Sequence, residues 1–218
     1  MKAAVLFSGG KDSTYAYFKE KNNYEVVCLI TLFPKSSDSY MFHFPNIKLV
    51  KYQAKELNLP LLTKTTKAEK EKELKDLEII LKEAIKKYKI SALISGALAS
   101  EYQKSRIGDL CKRLNIKSVA PLWKINPEDY LKQLIKEKFE VIITGIAADG
   151  LNESFLGRKL DNKLIEDFKK LKIHMGAEGG EYETFVLNCP LFKNKLKIKN
   201  QKKIIENECT GILKIQLA

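Results

Sequence analysis

An apolar strand that runs straight into a glycine turn and then a helix constrains this chain more than any other feature. Lys2-Ala3-Ala4-Val5-Leu6-Phe7 has the continuous apolar character of a strand buried on both faces, as in a parallel sheet. Ser8-Gly9-Gly10-Lys11-Asp12-Ser13 follows at once, and residues 14–19 have helical character. Such a turn converges backbone N–H groups at the positive end of a helix dipole, so it suits an anion such as a nucleotide phosphate. Read as plain structure, the glycines relieve turn strain and Asp12 or Ser13 caps a helix. The turn is not a Walker A loop, because Asp12 follows Lys11 where that loop needs Ser or Thr. It is not a dinucleotide fingerprint either, because the third glycine is absent.

Apolar β-branched runs alternate with helical patterns over the first half of the chain. Strands are expected at residues 25–32, 60–63, 90–95 and 117–120, and helices at 46–57, 69–88 and 100–114. This alternation predicts a parallel sheet with helices on both faces, and ligands in such sheets bind at the carboxyl ends of the strands. The segments beginning at Ser8, Phe33 and Gly96 all fall at that edge. The pattern changes near Trp123. Asn126-Pro127-Glu128-Asp129 reads as a helix start with Asn126 as N-cap, followed by a strong strand at 138–146 and a helix at 161–171. Short β-like runs at 185–187, 196–198, 203–205 and 212–215 complete the chain. The expectation is a larger α/β domain over residues 1–123 and a smaller α+β domain over 124–218.

The 218 residues carry a net charge of +12, yet only three arginines, Arg106, Arg113 and Arg158, contribute to it. The lysine-rich run from Lys64 to Lys75 is interleaved with Glu69, Glu71 and Glu73, which reads as a solvated helix face rather than a nucleic-acid surface. No direct nucleic-acid binding is therefore expected. No apolar run approaches the ~20 residues that span a bilayer. The turn begins so early that no leader is expected, and the chain reads as cytoplasmic. Cys28, Cys111, Cys189 and Cys209 are scattered without a C-x-x-C pair, which argues against a zinc ribbon or a redox pair.

Two further motifs carry chemistry. Residues 95–106, Ser-Gly-Ala-Leu-Ala-Ser-Glu-Tyr-Gln-Lys-Ser-Arg, leave a strand and enter a helix, with Ser100 as a plausible N-cap. Gln103 and Arg106 share a helix face, which suits an adenine, ribose or phosphate contact as well as it suits an ordinary exposed helix. Residues 177–184, Ala-Glu-Gly-Gly-Glu-Tyr-Glu-Thr, pack three carboxylates and a tyrosine around two glycines. Clustered carboxylates suit Mg²⁺ or a cationic substrate, and an aromatic beside them suits a quaternary ammonium; a solvated acidic loop is the plain alternative. His43 lies where it could line the adenine side, and His174 reads as structural.

Ser-Gly-Gly-x-Asp-Ser after an apolar strand resembles the PP-loop of the ATP pyrophosphatase superfamily. With the 95–106 motif, Ala120-Pro121-Leu122-Trp123, the segment 150–158 and Glu-Gly-Gly-Glu-Tyr-Glu-Thr-Phe at 178–185, in that order, nearly the whole chain resembles the diphthine–ammonia ligase family. The resemblance implies an adenine nucleotide α-hydrolase-like, Rossmann-like parallel sheet flanked by helices, followed by a smaller C-terminal domain. It also implies ATP-dependent amidation, with ammonium, of the diphthine carboxylate on translation elongation factor 2, through an acyl-adenylate, giving diphthamide, AMP and pyrophosphate.

On that resemblance Ser8, Gly9, Gly10, Asp12, Ser13, Gly96 and Gln103 would bind ATP and its Mg²⁺, whose ligands are left open. Asp12, Lys11, Arg106 and Glu181 would be catalytic, with Lys11 or Arg106 stabilising the leaving pyrophosphate. Glu178, Gly179, Gly180, Tyr182, Glu183 and Arg158 would bind the substrate, whose trimethylammonium group suits an acidic aromatic cage. Self-association is left open. The rival readings are a PP-loop ligase or thiolase acting on tRNA or a small metabolite, and a non-catalytic ATP-binding sensor.

Overall fold

The computed structural model describes residues 1–34, 46–66, 70–99 and 101–218, with residues 70–72, 102 and 103 as backbone only. The chain divides into two compact units. One takes Met1–Ser8, Asp12–His43 and Val50–Trp123, the other Gly9–Lys11, Phe44–Leu49 and Lys124–Ala218.

The first unit follows the order β1 (Lys2–Leu6), α1 (Lys11–Glu20), β2 (Glu25–Pro34), α2 (Val50–Leu57), β3 (Leu61–Thr66), α3 (Lys70–Tyr88), β4 (Ala92–Ile94), α4 (Glu101–Arg113) and β5 (Lys117–Val119). The five strands form a parallel sheet in the order β3-β2-β1-β4-β5, as the alternation predicts. β1 pairs on both edges, which is why Ala3, Ala4 and Val5 are fully buried and why the strand carries no polar alternation. Right-handed crossovers put α1 and α2 on one face of such a sheet and α3 and α4 on the other. On the second face Leu77, Leu81, Ala84 and Leu110 pack on Ala4, Ile30 and Leu93. Each Leu or Ile buried this fully contributes about 1.5–3 kcal/mol. Cys28 and Cys111 are packing groups in the same cluster, and burial pushes their thiols up to about 12 and about 11.

The order in which strands are added reverses at β1: β2 and β3 lie to one side, β4 and β5 to the other. The carboxyl ends of β1 and β4 therefore open a crevice where successive crossovers part, and ligands of doubly wound sheets bind there.

The second unit contains α5 (Pro127–Lys136), β6 (Glu140–Ala147), α6 (Asn162–Lys169), β7 (Tyr182–Asn188), β8 (Ile198–Asn207) and β9 (Thr210–Leu217). Its four strands are antiparallel in the order β7-β6-β9-β8. The side chain of Asn126 accepts the Asp129 N–H at 3.1 Å with Pro127 in the first turn, so this helix start was readable from the sequence. Asp161 caps α6 in the same way, accepting the Leu164 N–H at 2.7 Å. α5 buries Tyr130, Leu131 and Leu134, and α6 buries Leu164, Ile165 and Phe168. Leu131, Leu164 and Phe168 share a small cavity with Val141, Ile143 and Tyr182, so both helices cover the β6–β7 face.

Several boundaries differ from the expectation, β7 beginning at Tyr182 rather than at residue 185 among them. Helix α1 starts at Lys11, directly after the turn, because Gly9 takes φ +79° and reverses the chain within two residues. The helix expected from residue 46 is a 3-10 turn, Ile47–Leu49, followed by α2. The run at 203–205 and Ile198, the last residue of the run at 196–198, belong to one edge strand, β8, which is solvated on both faces over most of its length. Among the described residues no helix is long and apolar enough to cross a membrane.

Candidate active site

At the carboxyl end of β1 the chain is pinned to β2 by two bonds: Phe7 N–H donates to the Ile30 carbonyl at 2.8 Å, and the Thr31 hydroxyl donates to the Phe7 carbonyl at 2.6 Å. Ser8 is thus presented at the switch point. Its N–H donates to the Ser13 Oγ at 3.2 Å, and the two hydroxyls lie 3.1 Å apart. Ser13 is buried and Asp12 half-buried, both in the first turn of α1, where the helix dipole favours an anion.

From the adjacent strand, Gly96 follows β4 and meets the same turn. A Cβ on Gly96 would stand 2.6 Å from the Asp12 carbonyl carbon and 2.7 Å from the Ser13 nitrogen, so only glycine allows this approach. Two hydroxyls, a glycine turn and a helix N-terminus at a switch point fit a nucleotide's phosphates. Arg106 is half-buried in α4. Gln103 lies in the same helix, but its side chain, like Ser100 and His43, falls outside the described residues.

The acidic motif forms a braced loop in the second unit. The Glu181 carboxylate accepts two backbone N–H groups, those of His174 and Gly179, each at 2.9 Å. The Tyr182 hydroxyl donates to the Met175 carbonyl at 2.5 Å. His174 Nδ1 accepts the Glu178 N–H at 3.3 Å, a contact within the same loop. Ala177 is held at φ +62°, a conformation that L-residues other than Asn and Asp rarely adopt, and Gly180 at φ +81°. Glu178 and Glu183 are half-exposed, and Gly179 and Gly180 are exposed.

Several residues expected to face the substrate are engaged within the unit. Tyr182 is 3% exposed, stacked on Phe168 at 4.8 Å between ring centroids. Arg158 pairs with Asp167 at 2.9 Å and stands over the Phe155 ring. That hydrogen bond holds the Asp167 carboxyl below its usual range.

Lys11 is 2% exposed; its ammonium donates to the Gly176 carbonyl at 2.8 Å and lies 5.1 Å from the Tyr182 ring centroid. Two residues without a site signal in the sequence join it: Thr184 accepts the Lys11 N–H at 3.1 Å, and the Tyr130 ring centroid is 6.0 Å from the same ammonium. Tyr130 sits on the apolar face of α5, a signal for core and nothing more. Among the described residues no three of His, Cys, Asp and Glu converge to hold a metal ion.

Known proteins resemble both halves of the chain. A model described as the diphthamide synthase N-terminal domain matches residues 1–118, and one described as the diphthamide synthase C-terminal domain matches residues 126–218. The chain is 36% identical to the diphthine–ammonia ligase of Homo sapiens over 231 residues, covering 95% of this chain and 86% of that protein. The corresponding ligase of Danio rerio is 30% identical, with 95% and 90% covered. The Saccharomyces cerevisiae ligase is also 30% identical, but the match takes in 89% of this chain and only 34% of that longer protein. Among solved structures, a predicted subunit of tRNA methyltransferase from Methanocaldococcus jannaschii matches with a TM-score of 0.43 and 25% identity, covering 69% of this chain and 82% of that one.

Proposed function

Since the chain belongs to the diphthamide synthase family, we propose that it amidates the diphthine carboxylate of translation elongation factor 2 through an acyl-adenylate. The coarser activity follows from the family: the chain is an ATP-dependent carbon–nitrogen ligase of diphthamide synthesis. In the finer scheme a substrate carboxylate oxygen attacks the α-phosphorus of ATP and pyrophosphate leaves. Ammonia then attacks the acyl carbon, AMP departs, and the nitrogen gives up a proton to leave the neutral amide.

The residues divide between two tasks. Residues 1–123 take the nucleotide: Ser8, Gly9, Gly10 and Ser13 hold its phosphates through N–H and hydroxyl groups, and Gln103 contributes to nucleotide binding. Mg²⁺ would enter with the nucleotide and neutralise phosphate charge, with Asp12 as the residue of this chain that would orient its water. Arg106 stabilises charge on the departing pyrophosphate. Residues 124–218 take the modified protein: Glu178 and Glu183 face the trimethylammonium group across the exposed Gly179 and Gly180. Glu181 and Tyr182 brace that loop, and Arg158 fixes its neighbour α6.

The observation that carries this reading is the braced acidic loop in a chain with a phosphate-type turn, because a nucleotide sensor has no use for such a loop. The test is AMP and pyrophosphate release from ATP and ammonium, with and without diphthine-bearing elongation factor 2. Release that depends on the modified factor, with conversion of its acid to an amide by mass, is expected. AMP formed only with added tRNA, or bound ATP with no AMP under any condition, overturns the reading.

A further inference from the structure

Lys11 sits inside the nucleotide turn by sequence, yet its side chain is built into the second unit. The surrounding contacts tie the turn to the acidic loop at one point and to β7, the strand that follows the loop, at two. Val186 N–H donates to the Gly9 carbonyl at 3.0 Å, so the turn caps the open edge of β7. Lys11 N–H donates to the Thr184 Oγ1 at 3.1 Å, and its ammonium donates to the Gly176 carbonyl at 2.8 Å. Tyr182 and Tyr130 place their rings 5.1 and 6.0 Å from that ammonium.

A buried ammonium is costly unless partners replace its water, and a carbonyl with two ring faces does so. Gly176 directly precedes the strained Ala177, in the loop that Glu181 and Tyr182 also hold. The cation therefore anchors the middle of the loop, while the two other side chains hold its ends.

We infer that Lys11 is a positioning residue for the acidic loop 174–180, linking it to the glycine turn, and is not the cation that meets the nucleotide's phosphates. The substrate side of this inference rests on the ligase reading above; the anchoring side does not.

The experiment compares Lys11→Met, which keeps the stem and removes the charge, with Lys11→Arg, which keeps a cation. Three readouts are taken on the whole protein: Mg·ATP affinity without protein substrate, amide exchange over residues 174–181, and the KM and kcat for diphthine-bearing elongation factor 2. Lys11→Met is expected to keep ATP affinity within about twofold, speed loop exchange about tenfold and raise the protein-substrate KM about tenfold with a smaller change in kcat, the tenfold effects being about 1.4 kcal/mol each. Lys11→Arg is expected to recover most of the exchange protection.

A tenfold loss of ATP affinity, with or without a change in the loop, overturns the inference, as does unchanged loop exchange. Should Lys11→Met fail to fold, Lys11→Gln decides: it also removes the charge, so faster loop exchange at unchanged ATP affinity is expected, and normal exchange or a tenfold loss of ATP affinity overturns the inference. If the wild-type protein forms no amide, the ligase reading fails, while ATP affinity and loop exchange still decide the role of Lys11.

Discussion

Single positions in this molecule are set by backbone geometry, and two of them make opposite predictions. Gly96 has no room for a methyl group: the added carbon would lie 2.6 Å from the Asp12 backbone, which belongs to the first turn of α1 and cannot swing aside like a side chain. Gly96→Ala is expected to push β4 and α1 apart at the phosphate turn, costing about 1–3 kcal/mol of stability as overpacking does. ATP affinity should fall with it. A thermal midpoint and an ATP titration within error of wild type would show that the turn yields. Ala177 is the reverse case. Its φ of +62° costs an L-residue about 1–2 kcal/mol, against about 0.5–1 kcal/mol for the extra freedom glycine regains on unfolding. Ala177→Gly should therefore leave urea stability unchanged or raise it by up to about 1.5 kcal/mol, where the same exchange inside a helix would lower it. A clear loss would mean that the Ala177 methyl has a packing role.

At the scale of elements, what was legible depended on whether one residue carried a complete local signal. Asn126-Pro127 announced α5 because a side-chain acceptor and a fixed φ act within one turn of the chain. Asp161 opened the predicted helix for the same reason, and Asp161→Ala is expected to cost about 1 kcal/mol by leaving the Leu164 N–H unpaired, read as a lower urea midpoint at unchanged slope. Loss below ~0.3 kcal/mol would show that the α5–α6 packing holds the helix start without its cap. β8 was half legible. Its middle, Asn200-Gln201-Lys202-Lys203, is solvated on both sides and so lacks the alternation that marks a half-buried strand. The inner strands of the parallel sheet were readable as uninterrupted apolar runs because they are buried on both faces, whereas the edge strands β3 and β5 are partly polar and exposed and follow from the strand–helix alternation. The acidic loop's residues were legible as a cluster but not its bracing. That Glu181 caps two amides and Lys11 reaches Gly176 depends on contacts across as many as 165 residues, which local spacing does not encode.

For the whole molecule, charge sets how stability responds to pH. The chain carries +12 at neutral pH, so each carboxylate that protonates adds to a positive excess that already disfavours the compact state. Among the described residues three half-exposed carboxylates are held below their usual range by basic partners: Glu78 by Lys82 and Arg113, Glu128 by Lys132 and Lys169, and Asp167 chiefly by Arg158. A carboxylate with a lowered folded-state pKa binds fewer protons than it does in the unfolded chain. Its contribution is therefore fully present above the unfolded value, near ~4, and fades as pH falls through the folded value. Urea midpoints should stay level from about pH 7 to 5 and then decline. The pairs are solvated, so each contributes modestly and salt weakens it. Asp167→Asn keeps the shape of the Arg158 contact and removes the titration. Its midpoint should start lower at pH 7 but fall less than that of wild type between about pH 5 and 3, so the two curves converge in acid. Parallel curves would place the acid sensitivity in the global charge excess, and raising the salt at low pH would then restore the midpoint of both proteins equally.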